Sequence, residues 1–167
     1  MADDITLTWS AWHDLTAAQA YDVLRLRVDV FVVEQRCAYP EIDGRDLEPG
    51  SRHLVATRAG RVVGYLRLLE DGALEGTPAR PRIGRVCVAR SARNVGLASR
   101  LMRAAVEAAG PREQVLDAQA HLEGWYARFG FAAASDVYSE DGIPHVTMVR
   151  PAPGTAAAPS PRLGAQA

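Results

Sequence analysis

The chain has 167 residues, 48% of them apolar, with 19 basic residues against 20 acids and a net charge of −1. That size and apolar content suit one globular domain with a sizeable core, and the balanced charge leaves no basic footprint for a nucleic-acid partner. No apolar run approaches the ~20 residues of a membrane-spanning helix, so a membrane role is not expected.

The start, MADDITLTWS, is acidic and polar where a secretory signal would be basic and then apolar, so a cytoplasmic location is expected. Two cysteines, Cys37 and Cys87, are too few for a disulfide framework and read as small apolar fillers. All the basic residues are arginine. Without lysine there is no side-chain amine for Schiff-base chemistry.

Taken in order, residues 5–12 alternate apolar and polar and predict a first strand. Thr16 with Gln19 forms a capping-box pattern that opens a helix to about residue 33, its expected apolar face being Tyr21, Leu24, Val28 and Phe31. The valines at 28, 30, 32 and 33 fit a strand equally well. Residues 36–51, RCAYPEIDGRDLEPGS, are a long loop, and long ordered loops are often functional. Residues 53–58 and 61–69 predict two strands of a hairpin turning at Ala59–Gly60. A Gly/Pro-punctuated connection over 70–81 leads to an apolar, β-branched strand at 83–88.

A polar turn over 89–95 then opens an amphipathic helix over 97–109, with Leu97, Leu101, Ala105 and Ala108 on one face. Gly110–Pro111 ends it. Residues 114–119 read as a buried strand, and 121–129 as a helix with Leu122, Trp125, Tyr126 and Phe129 on one side. Gly130 follows at the C-terminal position. Extended segments at about 131–138 and 145–150 are joined by an acidic turn over 139–144. From 151 the chain is Pro-, Gly- and Ala-rich, which predicts a disordered tail over 151–167 after a domain spanning 1–150. The order predicts an α/β (α+β) domain, with a mixed sheet and a right-handed βαβ unit at 83–119.

The strand–turn–helix at 83–109 is the stretch with the clearest chemistry. The first helical N–H groups lack internal partners and sit at the positive end of the helix dipole, which makes an anion site. Gly96 lets a phosphate come close to the backbone, and Arg93 can add a charge-assisted bond.

The turn Arg93-Asn94-Val95-Gly96-Leu97-Ala98 has the form R-x-x-G-x-A. It resembles the acetyl-CoA pyrophosphate loop of the GNAT acetyltransferase superfamily. Downstream, Gln119, Leu122, Trp125-Tyr126 and Phe129-Gly130-Phe131 resemble that family's second signature. The strings Val30-Phe31-Val32-Val33-Glu34-Gln35, Ala118-Gln119-Ala120-His121-Leu122 and Glu140-Asp141-Gly142-Ile143-Pro144-His145 resemble its ElaA-like branch. The resemblance spans about residues 5–150. Two departures stand out: Asn94, where many members have glycine, and Gln119, where many have asparagine. Asparagine tolerates left-handed backbone.

The resemblance implies a GNAT-like fold: a mixed, mostly antiparallel sheet with a central splayed parallel strand pair flanked by helices. It implies acetyl-CoA as acetyl donor, with pyrophosphate on the amides of Asn94, Val95, Gly96, Leu97, Ala98 and Ser99, and with Gln119 at the cofactor strand end. Pantetheine would run along Val86, Cys87 and Val88, paired with backbone as an added strand. An N–H near Val88 would polarise the thioester carbonyl.

Tyr126, by its match to the family tyrosine, is the expected acid for the departing thiolate. Glu34 and His145 are the candidates for the base, and Glu41, Asp43, Asp46 and Glu48 form an acidic loop able to attract a cationic amine. The four histidines lack the spacing of a zinc site, and no metal is expected. A Cys87 nucleophile is disfavoured by its apolar strand setting.

The expected activity is acetyl transfer from the thioester to a small-molecule or peptide amine. The alternatives are another acyl-CoA or acyl-carrier acyltransferase on this fold, and a CoA-binding module without turnover. No G-x-G-x-x-G and no G-K-[ST] is present, which excludes dinucleotide and P-loop sites. A homodimer is compatible with the sequence.

Overall fold

The protein's computed structural model describes residues 5–72 and 79–155. The first strand, β1 (Thr6–Ser10), lies at one edge of the sheet and pairs with β2 (Arg52–Arg58). A two-residue turn joins β2 to β3 (Arg61–Asp71), with φ of 49° at Ala59 and 75° at Gly60. Positive φ at both central positions matches the twist of the flanking strands, which is why so short a turn closes this hairpin.

Next across the sheet are β4 (Arg80–Val88) and β5 (Gln114–Gln119), then β8 (Ile143–Arg150), with β6 (Ala132–Ala133) at the far edge and β7 (Tyr138–Glu140) also on β8. All pairings are antiparallel except β4 with β5. The mixed, mostly antiparallel sheet and its splayed parallel pair are as expected. Both β3 and β4 run further than their apolar stretches predict, because Asp71 and Arg80 continue the ladder. Residues 73–78, in the connection between them, lie outside the described residues, as do 156–167 of the expected tail.

Helices cover both faces. On one, α1 (Ala17–Arg27) packs Val23 and Leu26 against Val55, Tyr65 and Cys87. On the other, α2 (Leu97–Ala109) sets Leu97, Leu101, Met102 and Ala105 against Leu54, Ala56, Leu66 and Leu68. The two sets alternate along β2 and β3, as a pleated strand buried on both sides requires. Short α3 (Glu123–Ala127) adds Tyr126 to the α2 side. It is preceded by a tight turn over Ala120–Leu122 and is shorter than the expected 121–129 helix.

The start of α1 is capped as predicted: Thr16 Oγ1 accepts from the Gln19 amide, and the Gln19 side chain reciprocates. Its face differs from expectation. Tyr21 is 67% exposed, whereas Val23, Leu26 and Arg27 are buried. Positions 23, 26, 27 and 30 form one helical stripe, and the arginine within it hides the stripe from a purely apolar count. Beyond Arg27 the valine-rich segment Val28–Glu34 is neither α-helix nor strand but a π-helical turn.

Of the expected segment 131–138, Ala132–Ala133 and Tyr138 pair with β8, whereas the last strand begins earlier than expected, at Ile143, so the acidic turn tightens to Asp141–Gly142, with Ser139 opposite Pro144.

Candidate functional site

Parallel strands β4 and β5 pair at one position, Arg82 with Val115, and then part. A bulge explains the parting. Tyr65 faces Cys87 but Arg67 faces Gly84, so β4 spends an extra residue there, and Arg85 takes φ of 55°. Bulges bend the strand that carries them, and here the bend turns β4 away from β5. Val86, beside the bulge, lines a cavity of about 630 Å³ that opens on the α1 side, and Gln119 and Leu116 of β5 face it across the gap.

At the end of β4 the chain makes the turn singled out in the sequence. Asn94 has φ of 64° and Gly96 of 76°, so two left-handed residues flank Val95. Asparagine does adopt the backbone that glycine would supply. No side chain caps α2, and its first internal bond is Arg100 N–H to Gly96 C=O at 3.1 Å. The amides of Leu97, Ala98 and Ser99 at that N-terminus are therefore free of helical partners. A second cavity, about 470 Å³, lies between α2 and α3 and is lined by Ser99, Arg103, Arg128 and Phe129. Both arginines are exposed and neither has an ion pair among the described residues. Sequence reasoning named neither, because an arginine on a helix reads as a solvated face until the groove beside it is seen.

Tyr126 is 9% exposed, belongs to the core on the α2 side, and lines the main cavity. Its hydroxyl has no hydrogen-bond partner among the described residues. Burial pushes the phenol up to about 12, so it is protonated at neutral pH. Gln119 ends β5 opposite His145 of β8, and both line the cavity. His145 Nδ1 lies 2.8 Å from the Ile143 carbonyl, which only accepts. In the neutral ring Nδ1 thus carries the proton and Nε2 the lone pair.

Glu34 stands elsewhere. Arg93 Nη1 and Nη2 reach its two carboxylate oxygens at 2.8 and 3.0 Å, and Arg90 Nε adds a bond at 3.0 Å. The hydrogen bonds from Arg93 and Arg90 hold the Glu34 carboxyl at about 2. Such a carboxylate is fully ionised and a weak proton acceptor at neutral pH. Arg93, expected to face a phosphate, is committed to Glu34 and, through Nε, to the Val88 carbonyl at 3.0 Å.

The acidic loop also differs from expectation. Arg27, fully buried, donates from Nε to Glu41 and from Nη1 to Asp46, both at 2.7 Å. Arg67 holds Asp43 and Asp46, Arg85 holds Glu41 and Asp43, and Arg45 holds Glu48 and Asp71. Arg82 continues the chain from Asp71 to Asp117, whose other oxygen accepts from Tyr138 and Thr147 hydroxyls. Each of these acids is already paired with arginine, and Glu41 and Asp46 are buried as well, so the loop is fastened to the sheet rather than left as an open acidic surface. The single sequence does not reveal this, since Arg27, Arg67 and Arg85 lie 14 to 44 residues away from the loop carboxylates they hold.

Two further groups are structural. His53 is buried between Tyr65 Oη, 2.6 Å from Nδ1, and the Asp46 carbonyl, 3.2 Å from Nε2. Desolvation lowers its pKa and keeps the ring neutral. Cys87 is 4% exposed and burial pushes its thiol up, which removes thiolate character and with it the nucleophile.

Comparison with known proteins agrees with this geometry. Residues 18–151 match the acetyltransferase (GNAT) domain family. A UPF0039 protein of Mycobacterium bovis is 45% identical over 155 residues, 92% of this chain and 97% of that one. The crystal structure of Escherichia coli ElaA superposes with a TM-score of 0.80 at 36% identity, covering 88% of this chain and 99% of that one. An acyl-CoA N-acyltransferase from Pseudomonas aeruginosa superposes with a TM-score of 0.81 at 44% identity over the same shares. Among the described residues no helix is long and apolar enough to cross a membrane. With the strand gap, the uncapped helix N-terminus and these relatives in agreement, the chain belongs to the ElaA-like branch of the GNAT superfamily of acyltransferases.

Proposed function

We propose that the protein transfers an acetyl group from acetyl-CoA directly to an amine. The observation that carries this reading is the unpartnered Tyr126 hydroxyl on the wall of the β4–β5 gap. The hydroxyl is unpaired and open to the gap, and the sulfur of a thioester bound there would give it a partner. The pyrophosphate is assigned to the amides of residues 94–99, with Arg103 and Arg128 flanking the groove beyond it. The pantetheine arm is assigned to the backbone of Val86, Cys87 and Val88, where β4 has lost its β5 partner and its polar groups are open to strand addition.

The amine enters from the main cavity as an ammonium and must lose a proton before attack. His145, with its lone pair on Nε2, is the assigned base. The freed amine attacks the thioester carbonyl, whose oxygen takes up negative charge near the Val88 end of β4. The carbon–sulfur bond then breaks as Tyr126 donates its proton to the departing thiolate, and the new amide nitrogen gives up its second proton to the Tyr126 oxygen, which restores the phenol. Glu34 is assigned no proton transfer, since its arginine contacts hold it ionised.

A longer acyl donor is the second reading, favoured by Leu116, Leu122 and Ile143 beside the gap and by the acyl-CoA N-acyltransferase name of the Pseudomonas relative. A thiol-release assay with acetyl-, butanoyl- and hexanoyl-CoA over polyamines, amino acids, aminoglycosides and peptides tests both. Amine-dependent release fastest with acetyl-CoA is the expected result. Faster release from hexanoyl-CoA selects the second reading, and CoA binding with no release from any donor overturns both.

A further inference from the structure

The gap between β4 and β5 is bounded at both ends by side chains. At the closed end, the single ladder pair is reinforced by the ion pair between Arg82 of β4 and Asp117 of β5. At the open end no ladder bond holds the strands. Two neighbouring residues at the end of the π-helical segment, Glu34 and the Gln35 that follows it, take hold of them there. Glu34 grips Arg93, whose Nε donates to the carbonyl of Val88, the last residue of β4. Gln35 Oε1 accepts at 3.0 Å from Nε2 of Gln119, the last residue of β5.

This arrangement depends on the π-helical turn. Each extra residue in a helix rotates the side chains downstream of it by about 100°, and a π turn places one where an α-helix would not. Val28–Glu34 makes that turn directly before Gln35. Consecutive side chains consequently reach two different strands. The same pair also joins the two halves of the site, because Arg93 begins the turn around Asn94 and Gly96, whereas Gln35 and Gln119 line the main cavity.

We infer that Glu34 and Gln35 are positioning residues that hold the open ends of β4 and β5 at a fixed separation and so seat the reacting carbonyl between Tyr126 and the amine cavity. This rests on the acyltransferase reading of the gap. It assigns the ElaA-like Val-Glu-Gln string a role in setting the width of the acyl channel, and with it the length of acyl group accepted.

The test compares the parent with Glu34→Ala, Gln35→Ala, the double variant and Gln35→Glu, which keeps an acceptor oxygen facing Gln119. Amide hydrogen exchange of the free protein is read at residues 86–89 and 117–119, with 80–83 at the closed end as internal control. The double variant should exchange at the open ends on the order of tenfold faster, with the control segment unchanged. Its kcat/KM ratio of acetyl- to hexanoyl-CoA should fall on the order of tenfold, two lost hydrogen-bonded contacts being enough for that change. Gln35→Glu should restore both relative to Gln35→Ala. Unchanged exchange at the open ends overturns the inference, and so does faster exchange with an unaltered chain-length ratio. Absence of thiol release from the parent would instead remove the acyltransferase reading, with the strap still judged by exchange.

Discussion

Arg93 holds Glu34 with both terminal nitrogens, at 2.8 and 3.0 Å, and this pairing gives the protein a specific acid sensitivity. The carboxyl falls from its ordinary 4.5 to about 2 in the folded chain. A depressed carboxyl stabilises the fold above its unfolded value and loses that contribution as pH falls through the folded value. The window is therefore about pH 4.5 down to about 2. Urea unfolding at pH 7, 4.5 and 2.5 should show a steeper acid loss for the parent than for Glu34→Gln. Between pH 6 and 9 the variant's kcat/KM profile should keep the parent's shape. A lost limb in that range would restore Glu34 as the base.

Tyr126 carries the opposite shift, upward to about 12 through burial alone. It stays protonated across the working range and is available as an acid throughout. Tyr126→Phe should lower kcat on the order of 10²-fold, the usual worth of a positioned proton donor, while CoA affinity by calorimetry stays within a few-fold. Full turnover with an unchanged pH profile would remove the role from Tyr126.

The parts of this site legible in the sequence are those written in local order. The cap at Thr16, the Ala59–Gly60 turn, the strand–turn–helix around Gly96 and Tyr126 four residues before Gly130 each depend on neighbours within a few positions. What the sequence hid depends on partners far away. Nothing local marks Arg27 as buried, since its carboxylates sit 14 and 19 residues further on. The π turn is hidden because alternating valines satisfy two periods equally, and the partners of the residues that follow them, Arg93 for Glu34 and Gln119 for Gln35, are far away in the chain.

Gly64 on β3 faces α2 at close range. A Cβ there would lie 3.1 Å from Leu97 Cδ2, 3.2 Å from Ala56 Cβ and 3.4 Å from Leu101 Cδ1. All three neighbours are fully or almost fully buried, so the helix has little room to retreat. Gly64→Ala should destabilise by about 1–2 kcal/mol, as overpacking does, which lowers Tm by ~2–8 °C in a chain of this length. Gly84→Ala, with nothing within 4 Å of the added carbon, is the matched comparison and should stay nearer the parent. Equal melting of the two variants would show that α2 yields without cost.

Arg27 is the most exacting residue in the fold. Its guanidinium is fully buried and makes three bonds, to Glu41 Oε1 and Asp46 Oδ1 at 2.7 Å and to the Glu41 carbonyl at 3.0 Å. Its removal takes one cation from each carboxylate, Glu41 keeping Arg85 and Asp46 keeping Arg67, so the cost is about 3 kcal/mol or less, at or below the low end for a broken buried pair. Arg27→Met keeps the volume and deletes the charge, so it should fall in that range, and Arg27→Lys should recover only part of it because an ammonium lacks the planar fork. Glu41→Gln and Asp46→Asn, added to Arg27→Met, provide the discriminating measurement. If the loss is electrostatic, neutralising these carboxylates should recover part of the lost stability in denaturant unfolding. No recovery would mean that packing of the arginine stem, rather than its charge, fastens the loop to the sheet.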